Sequence, residues 1–446
     1  MSLTMAPKKI SRRASLPIQS KIPATGKVIY RLLEKLFPIC RSITGDGVRQ
    51  TLRIIDEVAP LNIYEVPSGT KVFDWEIPEE WNIRDAYILD PVGKKIVDFK
   101  KNNLHVLGYS KSVDQVMALE DLQPHLYSLP DQPKAIPYVT SYYSRHWGFC
   151  ITHQQRVSLK KGKYKVVIDS DFKRGSLTYG ECVIPGKSQK EILISTYICH
   201  PSMANDNLSG TVIAAFLAQW IRSAQRRFTY RIVFVPETVG SLAYLSKNFE
   251  IMKKNVAAGF VVCCIGDNKV YSYMPSRAGN TLADKVALNV LQLKHPDFRK
   301  WPYLERGSDE RQYCSPGIDL PVVSLMRSRY GTYSEYHTSM DNLNLVSPEG
   351  LEGSYELLKD CIEALENNYK YRLTCLGEPC LGKRGLYPLV STSETFYQVM
   401  DMMNLIGYAD GNNDLIDISN LIRVPVKELL PLVQQLLSKG LLVKIE

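Results

Sequence analysis

Apolar positions in this chain follow two rhythms. From Gly26 to Pro60, Val28, Leu32, Leu33 and Leu36 and then Val48, Leu52 and Ile55 recur at spacings of three and four, which predicts helices. From about Tyr64 to Ile168 the pattern changes to short extended runs, Tyr87 to Leu89, Lys95 to Phe99 and Lys163 to Asp169. Prolines from Pro67 to Pro137 break them, which predicts a mainly β module. After Gly180, strand, loop and helix alternate. Glu191 to Ile198, Tyr230 to Val235, Gly259 to Ile265 and Leu320 to Met326 read as buried strands. Gly210 to Ile221, Leu242 to Phe249 and Leu282 to Leu293 read as helices. The predicted class is therefore α/β, a mainly parallel sheet flanked by helices, with the β module inserted into it.

The last stretch has the cadence of a winged helix: Thr395 to Ile406, Asp417 to Leu421 and Val426 to Leu437, then a strand from Leu441 to Ile445. The expected division is a basic tail at 1–26, a discontinuous main domain at 27–63 and 170–380, the insertion at 64–169, and the winged helix at 385–446.

Composition narrows the options. With 446 residues, 45% hydrophobic and 23% charged, the chain has material for large cores, which excludes a disordered or collagen-like protein. No apolar run approaches the ~18 residues of a membrane-spanning helix. The net charge of +9 suggests nucleic acid until it is located. Lys8, Lys9, Arg12, Arg13, Lys21 and Lys27 supply six of those charges in a head without acids, read as a disordered tail lacking the apolar core of a secretory signal. The winged helix sets Arg423, Lys427, Lys439 and Lys444 against seven acids and places Pro431 in the would-be recognition helix. Phosphate neutralisation needs clustered Lys and Arg, so packing or protein contact is expected there rather than DNA. Ten cysteines without a CxxC pair point to a reducing, cytoplasmic compartment.

In an open α/β sheet, ligands bind beyond the carboxyl ends of the strands. Past the first strand come Cys199-His200-Pro201 and then Asp206-Asn207-Leu208-Ser209-Gly210; past the second come Pro236-Glu237-Thr238-Val239-Gly240-Ser241; past the fourth comes Tyr336-His337-Thr338-Ser339-Met340-Asp341. A hydrolytic zinc needs nitrogen and oxygen ligands, an open position and a free carboxylate to take a proton from water. His200, Asp206 and His337 supply the first set and Glu237 the last. Asp341, four residues after His337, is expected to orient that imidazole.

These motifs resemble the zinc aminopeptidase and glutamate carboxypeptidase family. Gly307-Ser308-Asp309 matches its Ser-Asp motif, which makes Asp309 a further supporting residue or ligand. From about residue 27, the chain resembles a bacterial group of aminopeptidase-like proteins associated with polysaccharide biosynthesis, through Asp74-Trp75-Glu76-Ile77-Pro78, Pro137 to Tyr143 and Trp147-Gly148-Phe149-Cys150. The resemblance implies a zinc-dependent amide hydrolase on small peptides, with deacylation of an amino-sugar precursor and a non-catalytic binding protein as alternatives. Two departures bear on the metal count. Thr238 stands where the family has a second glutamate, and Cys263 or Cys264, with Asp267 a few residues on, where it has a later aspartate. One zinc is therefore favoured over two, with Cys263 a further candidate ligand. Tyr142, Tyr143, Arg145, Arg327, Tyr330, Tyr333 and Glu335 are candidates to line a pocket for a polar substrate, with Arg311 near Asp309 left open. A homo-oligomer is compatible with the sequence.

Overall fold

The computed structural model describes residues 25–387 and 392–445; residues 1–24 of the expected basic tail lie outside these. The main sheet has eight strands in the spatial order Asn62–Pro67, Ser176–Ile184, Thr229–Val235, Glu191–Tyr197, Val256–Val262, Val322–Met326, Ser272–Met274 and Arg299–Lys300. The central four are mutually parallel. Ser176–Ile184 and Ser272–Met274 flank them antiparallel, so the parallel sheet expected from sequence is mixed at its edges. Every residue of Glu191–Tyr197 and Val322–Met326 is buried, which is why these strands show no alternation of apolar and exposed polar positions.

Alternate side chains feed two cores. Ile192, Ile194, Phe260 and Val262 join the face covered by helices Gly26–Leu36, Asp46–Asp56, Gly210–Arg222, Leu282–Lys294 and Pro348–Asn367. Leu193, Tyr197, Val233 and Val261 join the face covered by helix Val239–Asn255.

Three expected boundaries move. Asn62–Pro67 pairs with Ser176–Ile184 in the main sheet, Ile63 opposite Gly180, so the insertion begins after residue 67 instead of at 64. It also runs past 169, because Lys163–Lys173 pairs with Glu80–Leu89. With Lys95–Asp98 and Val113–Ala118 these form a four-stranded antiparallel sheet. At the other end, strand Lys370–Leu373 lies between Asp410–Asp414 and Leu442–Ile445, so the C-terminal module starts before the expected residue 385.

That module is docked on the main domain. Lys285 reaches Asp414 at 2.6 Å and Asp417 at 2.7 Å, Asn289 donates to Ser419 at 2.9 Å, and Lys427 donates to Asp360 at 3.1 Å. Helix Val426–Ser438 contains Pro431 and buries Val426, Leu429, Val433 and Leu436 in the same core cluster as helix Pro348–Asn367.

Candidate metal centre

Loops that leave the carboxyl ends of the four central parallel strands converge. After Tyr197, the chain turns through His200 into an irregular wide turn, Ala204–Ser209, where Asp206 (φ −110°, ψ 82°) leaves helical geometry before helix Gly210–Arg222 begins. Gly210 is required there, because a Cβ would lie 2.2 Å from the Val262 carbonyl oxygen at the end of the neighbouring strand. Asn207, rather than Asp206, caps the helix start: its Oδ1 accepts from Gly210 N at 3.2 Å and from Cys264 N at 3.3 Å.

His200, Asp206 and His337 each offer a ligand atom, and these atoms all lie within 4.8 Å of one another. It is the one such group of three or more His, Cys, Asp and Glu among the described residues. Asp206 Oδ2 and His337 Nε2 stand 3.0 Å apart, yet both are buried and neither has a hydrogen-bond partner. A carboxylate oxygen and an imidazole nitrogen that face each other and no other partner are placed to take a cation between them. Protonation states agree. Burial presses the His200 imidazole down to about 4, leaving it neutral at pH 7. Burial alone would raise the Asp206 carboxyl, but His200, His337 and the Tyr197 hydroxyl that donates to Oδ1 outweigh it and hold it at about 2. A neutral imidazole, as at His200, and an ionised carboxylate, as at Asp206, are ligand forms that zinc takes.

Glu237 follows strand Thr229–Val235. Its Oε2 lies 3.9 Å from His200 Nε2, and Oε1 accepts from the Ser308 hydroxyl at 2.8 Å. Burial, with the charges of Asp309 and Asp206, raises this carboxyl well above the usual range; a cation beside it would oppose that rise. The next residue, Thr238, has φ 64° and ψ −78°, a costly backbone for a β-branched side chain. Asp309 holds it there: Oδ1 accepts from Thr238 N at 2.8 Å and from Ser241 Oγ at 2.9 Å. Ser202, Cys264 and His337 also have positive φ, so four of the eight non-glycine residues of this kind among those described sit in these loops. Strain gathers where the ligands are aimed.

Several expected roles change. Asp341 does not orient His337. Its carboxylate accepts from Asn205 N at 2.6 Å, from Asp206 N at 3.0 Å and from the Tyr333 hydroxyl at 3.2 Å, so it fixes the backbone that presents Asp206. His337 is set instead by Tyr336, stacked at 3.8 Å, and by Tyr138, edge-on at 5.1 Å. Tyr138 comes from the insertion, whose 136–138 segment bonds to the loop through Tyr138 N to His337 O at 2.8 Å and Ser339 N to Ile136 O at 2.8 Å. Cys263 is buried in the core; Cys264 is the cysteine that approaches Asp206, Sγ to Oδ1 3.7 Å. Asp267 is not in the ligand group and accepts from Asn205, Lys269 and Ser328. Asp309 acts on the Glu237 loop and not as a ligand.

The substrate candidates divide. Tyr142 shares a 2.8 Å hydroxyl contact with Tyr138, and Tyr333 contacts Cys264 and Asp341; both lie near the centre. Tyr143 is 68% exposed beside Trp75. Arg145 pairs with Glu79 and lies over Phe172. Arg327 is a strut, bonded to Ser354, Tyr271 and the Lys269 carbonyl, and Tyr330 is buried and donates to Glu310 at 2.7 Å. Glu335 accepts from neighbouring Ser334. Tyr197 escaped the sequence reading because a lone hydroxyl residue carries no spacing signal; Tyr138 and Ser308 lay within the runs Pro137 to Tyr143 and Gly307-Ser308-Asp309 but had no role assigned to them.

A family model described as a domain of unknown function (DUF4910) matches residues 30–368, and one for a winged helix-turn-helix matches residues 369–444. The chain belongs to the DUF4910 family. A Clostridium acetobutylicum relative named as a polysaccharide biosynthesis protein with aminopeptidase-like domain is 46% identical over 89% of this chain and 91% of its own. A crystal structure from the same organism, described as a peptidase, superposes with TM-score 0.89 at 43% identity, covering 94% of this chain and 96% of that one. At 12% identity, a zinc aminopeptidase from Bacillus subtilis matches 78% of this chain and 96% of its own with TM-score 0.55. That likeness shows a shared fold: the family has an aminopeptidase-like sheet with a C-terminal winged helix.

Proposed function

We propose that the protein is a zinc-dependent amide hydrolase of aminopeptidase type that uses one metal ion. The convergence of His200, Asp206 and His337, with Glu237 at their edge, carries this reading. A zinc ion held by those three residues would supply Lewis acidity to a scissile carbonyl and to water. The chain's own groups do the rest. Glu237 accepts a proton from the attacking water on one carboxylate oxygen and delivers it to the leaving amine nitrogen, while Ser308 holds the other oxygen. Asp309 keeps Thr238, and with it Glu237, aimed at the site. Tyr138 and Tyr336 wall the imidazoles against bulk water.

Glu237→Gln is expected to lower turnover by about 10²- to 10⁴-fold while zinc content stays at that of the unmodified protein. Full activity in this variant would refute the assignment. The substrate is a small peptide or an N-acylated amino sugar; the second is favoured by the relative's polysaccharide name, and hydrolysis of peptide amides compared with N-acetyl amino sugars decides between them.

The winged helix reads as a packing module, since Val426–Ser438 lies against helix Pro348–Asn367. All ten cysteines are free, in keeping with a cytoplasmic site of action, and no helix among the described residues is long and apolar enough to cross a membrane.

A further inference from the structure

Next to the Glu237 loop lies a pocket of about 380 Å³ lined by Trp75, Arg277, Tyr303, Arg306, Arg311 and Gln312 among others, none of them acidic. Arg277 is neutralised by Asp319 at 2.5 Å. Arg306 and Arg311 have no carboxylate within 4.0 Å among the described residues, and the Arg306 guanidinium makes no hydrogen bond there. Arg311 Nη2 donates to Thr238 Oγ1 at 2.9 Å, which puts this guanidinium one residue from Glu237. The opposite wall comes from the insertion. Hairpin Lys71–Val72 with Trp75–Glu76 presents Trp75, 36% exposed, with Tyr143 edge-on at 6.0 Å.

This donor set has a defined chemistry. Planar guanidinium forks match the two oxygens of a carboxylate or phosphate, and an indole face takes the C–H face of a ring. The charge of Arg311 is felt by the buried Glu237 and Asp309 carboxyls, whereas Arg306 has no carboxylate partner among the described residues and would repel an ammonium and attract an anion.

We infer that this pocket binds the anionic end, a carboxylate or a phosphate, of a substrate that also carries a sugar ring. The placement of that substrate's amide at Glu237 rests on the hydrolase reading; the binding itself does not.

The test is calorimetric titration of the full chain, chelator-stripped and zinc-loaded, with glucose 6-phosphate, glucuronate and glucose, followed in parallel by tryptophan fluorescence. At least one of the two acids is expected to bind in both metal states, with affinity falling as salt is raised, and the tighter one names the anion. Glucose is expected to bind roughly tenfold or more weakly, and Arg306→Gln, an exposed position whose loss leaves the fold intact, to weaken the acid by a similar factor. Trp75→Ala is expected to weaken all three sugars alike. Equal binding of glucose and the acids, no binding of either acid, or unchanged affinity in both Arg306→Gln and Arg311→Gln would overturn the inference. Acid binding that persists in a zinc-loaded chain lacking amidase activity would leave the pocket standing and remove the hydrolase.

Discussion

The metal centre and the arginine pocket meet at Thr238, yet they are built in opposite ways. Around the three ligands, almost every backbone and side-chain group is committed: Asp341 to Asn205 and Asp206, Asp309 to Thr238 and Ser241, Asn207 to Gly210 and Cys264. What is left over is the pair of atoms facing each other, Asp206 Oδ2 and His337 Nε2, together with Asp309 Oδ2 on the Glu237 loop. In the pocket, by contrast, the guanidinium of Arg306 is exposed and makes no hydrogen bond or ion pair among the described residues, resting only over the Tyr303 ring at 4.9 Å. A centre that must hold a metal within tenths of an ångström is over-determined by buried hydrogen bonds, whereas a surface that selects an anion needs charge and reach.

The contrast can be broken at several points. Asp206→Ala should have the largest effect, reducing bound zinc from one equivalent to none as counted by atomic absorption; retention of the metal would mean the ligand set is elsewhere. Asp341→Asn keeps the shape but removes the acceptor pair beneath Asp206, and should weaken zinc by ~10- to 100-fold in competition with a chelator. An unchanged affinity would show that the backbone of 205–206 does not need that carboxylate. Arg145→Gln should change least, within about 0.5 kcal/mol in denaturant unfolding and with normal zinc content, because its pair with Glu79 is solvent-exposed. A large effect there would extend the over-determined region into the insertion.

The ligands were legible because a strand end is a local signal and His, Asp and Glu are the residue types zinc chemistry demands. Asp341 was recognised as a supporting residue but given the wrong partner, since its four-residue spacing from His337 says nothing about which backbone it faces across the site. Arg327 and Tyr330 were over-read for a related reason. In sequence they look like pocket residues near His337, but Ser354, Tyr271 and Glu310 claim their polar ends. The boundaries at 64 and 385 slipped because strands Asn62–Pro67 and Lys370–Leu373 find their partners more than a hundred residues and about forty residues away, respectively.

Periodicity and residue type along the chain determined the α/β alternation, the inserted β module, the winged-helix cadence and the three candidate ligand side chains that converge, because burial and ligand chemistry are written locally. Only the tertiary structure decided that Asp341 serves Asp206, that Cys264 rather than Cys263 approaches the centre, that Tyr138 crosses from the insertion to wall it, and that Arg306 and Arg311 remain without a carboxylate partner. Each of these depends on which groups compete for one another across distant segments, and that competition is settled by packing.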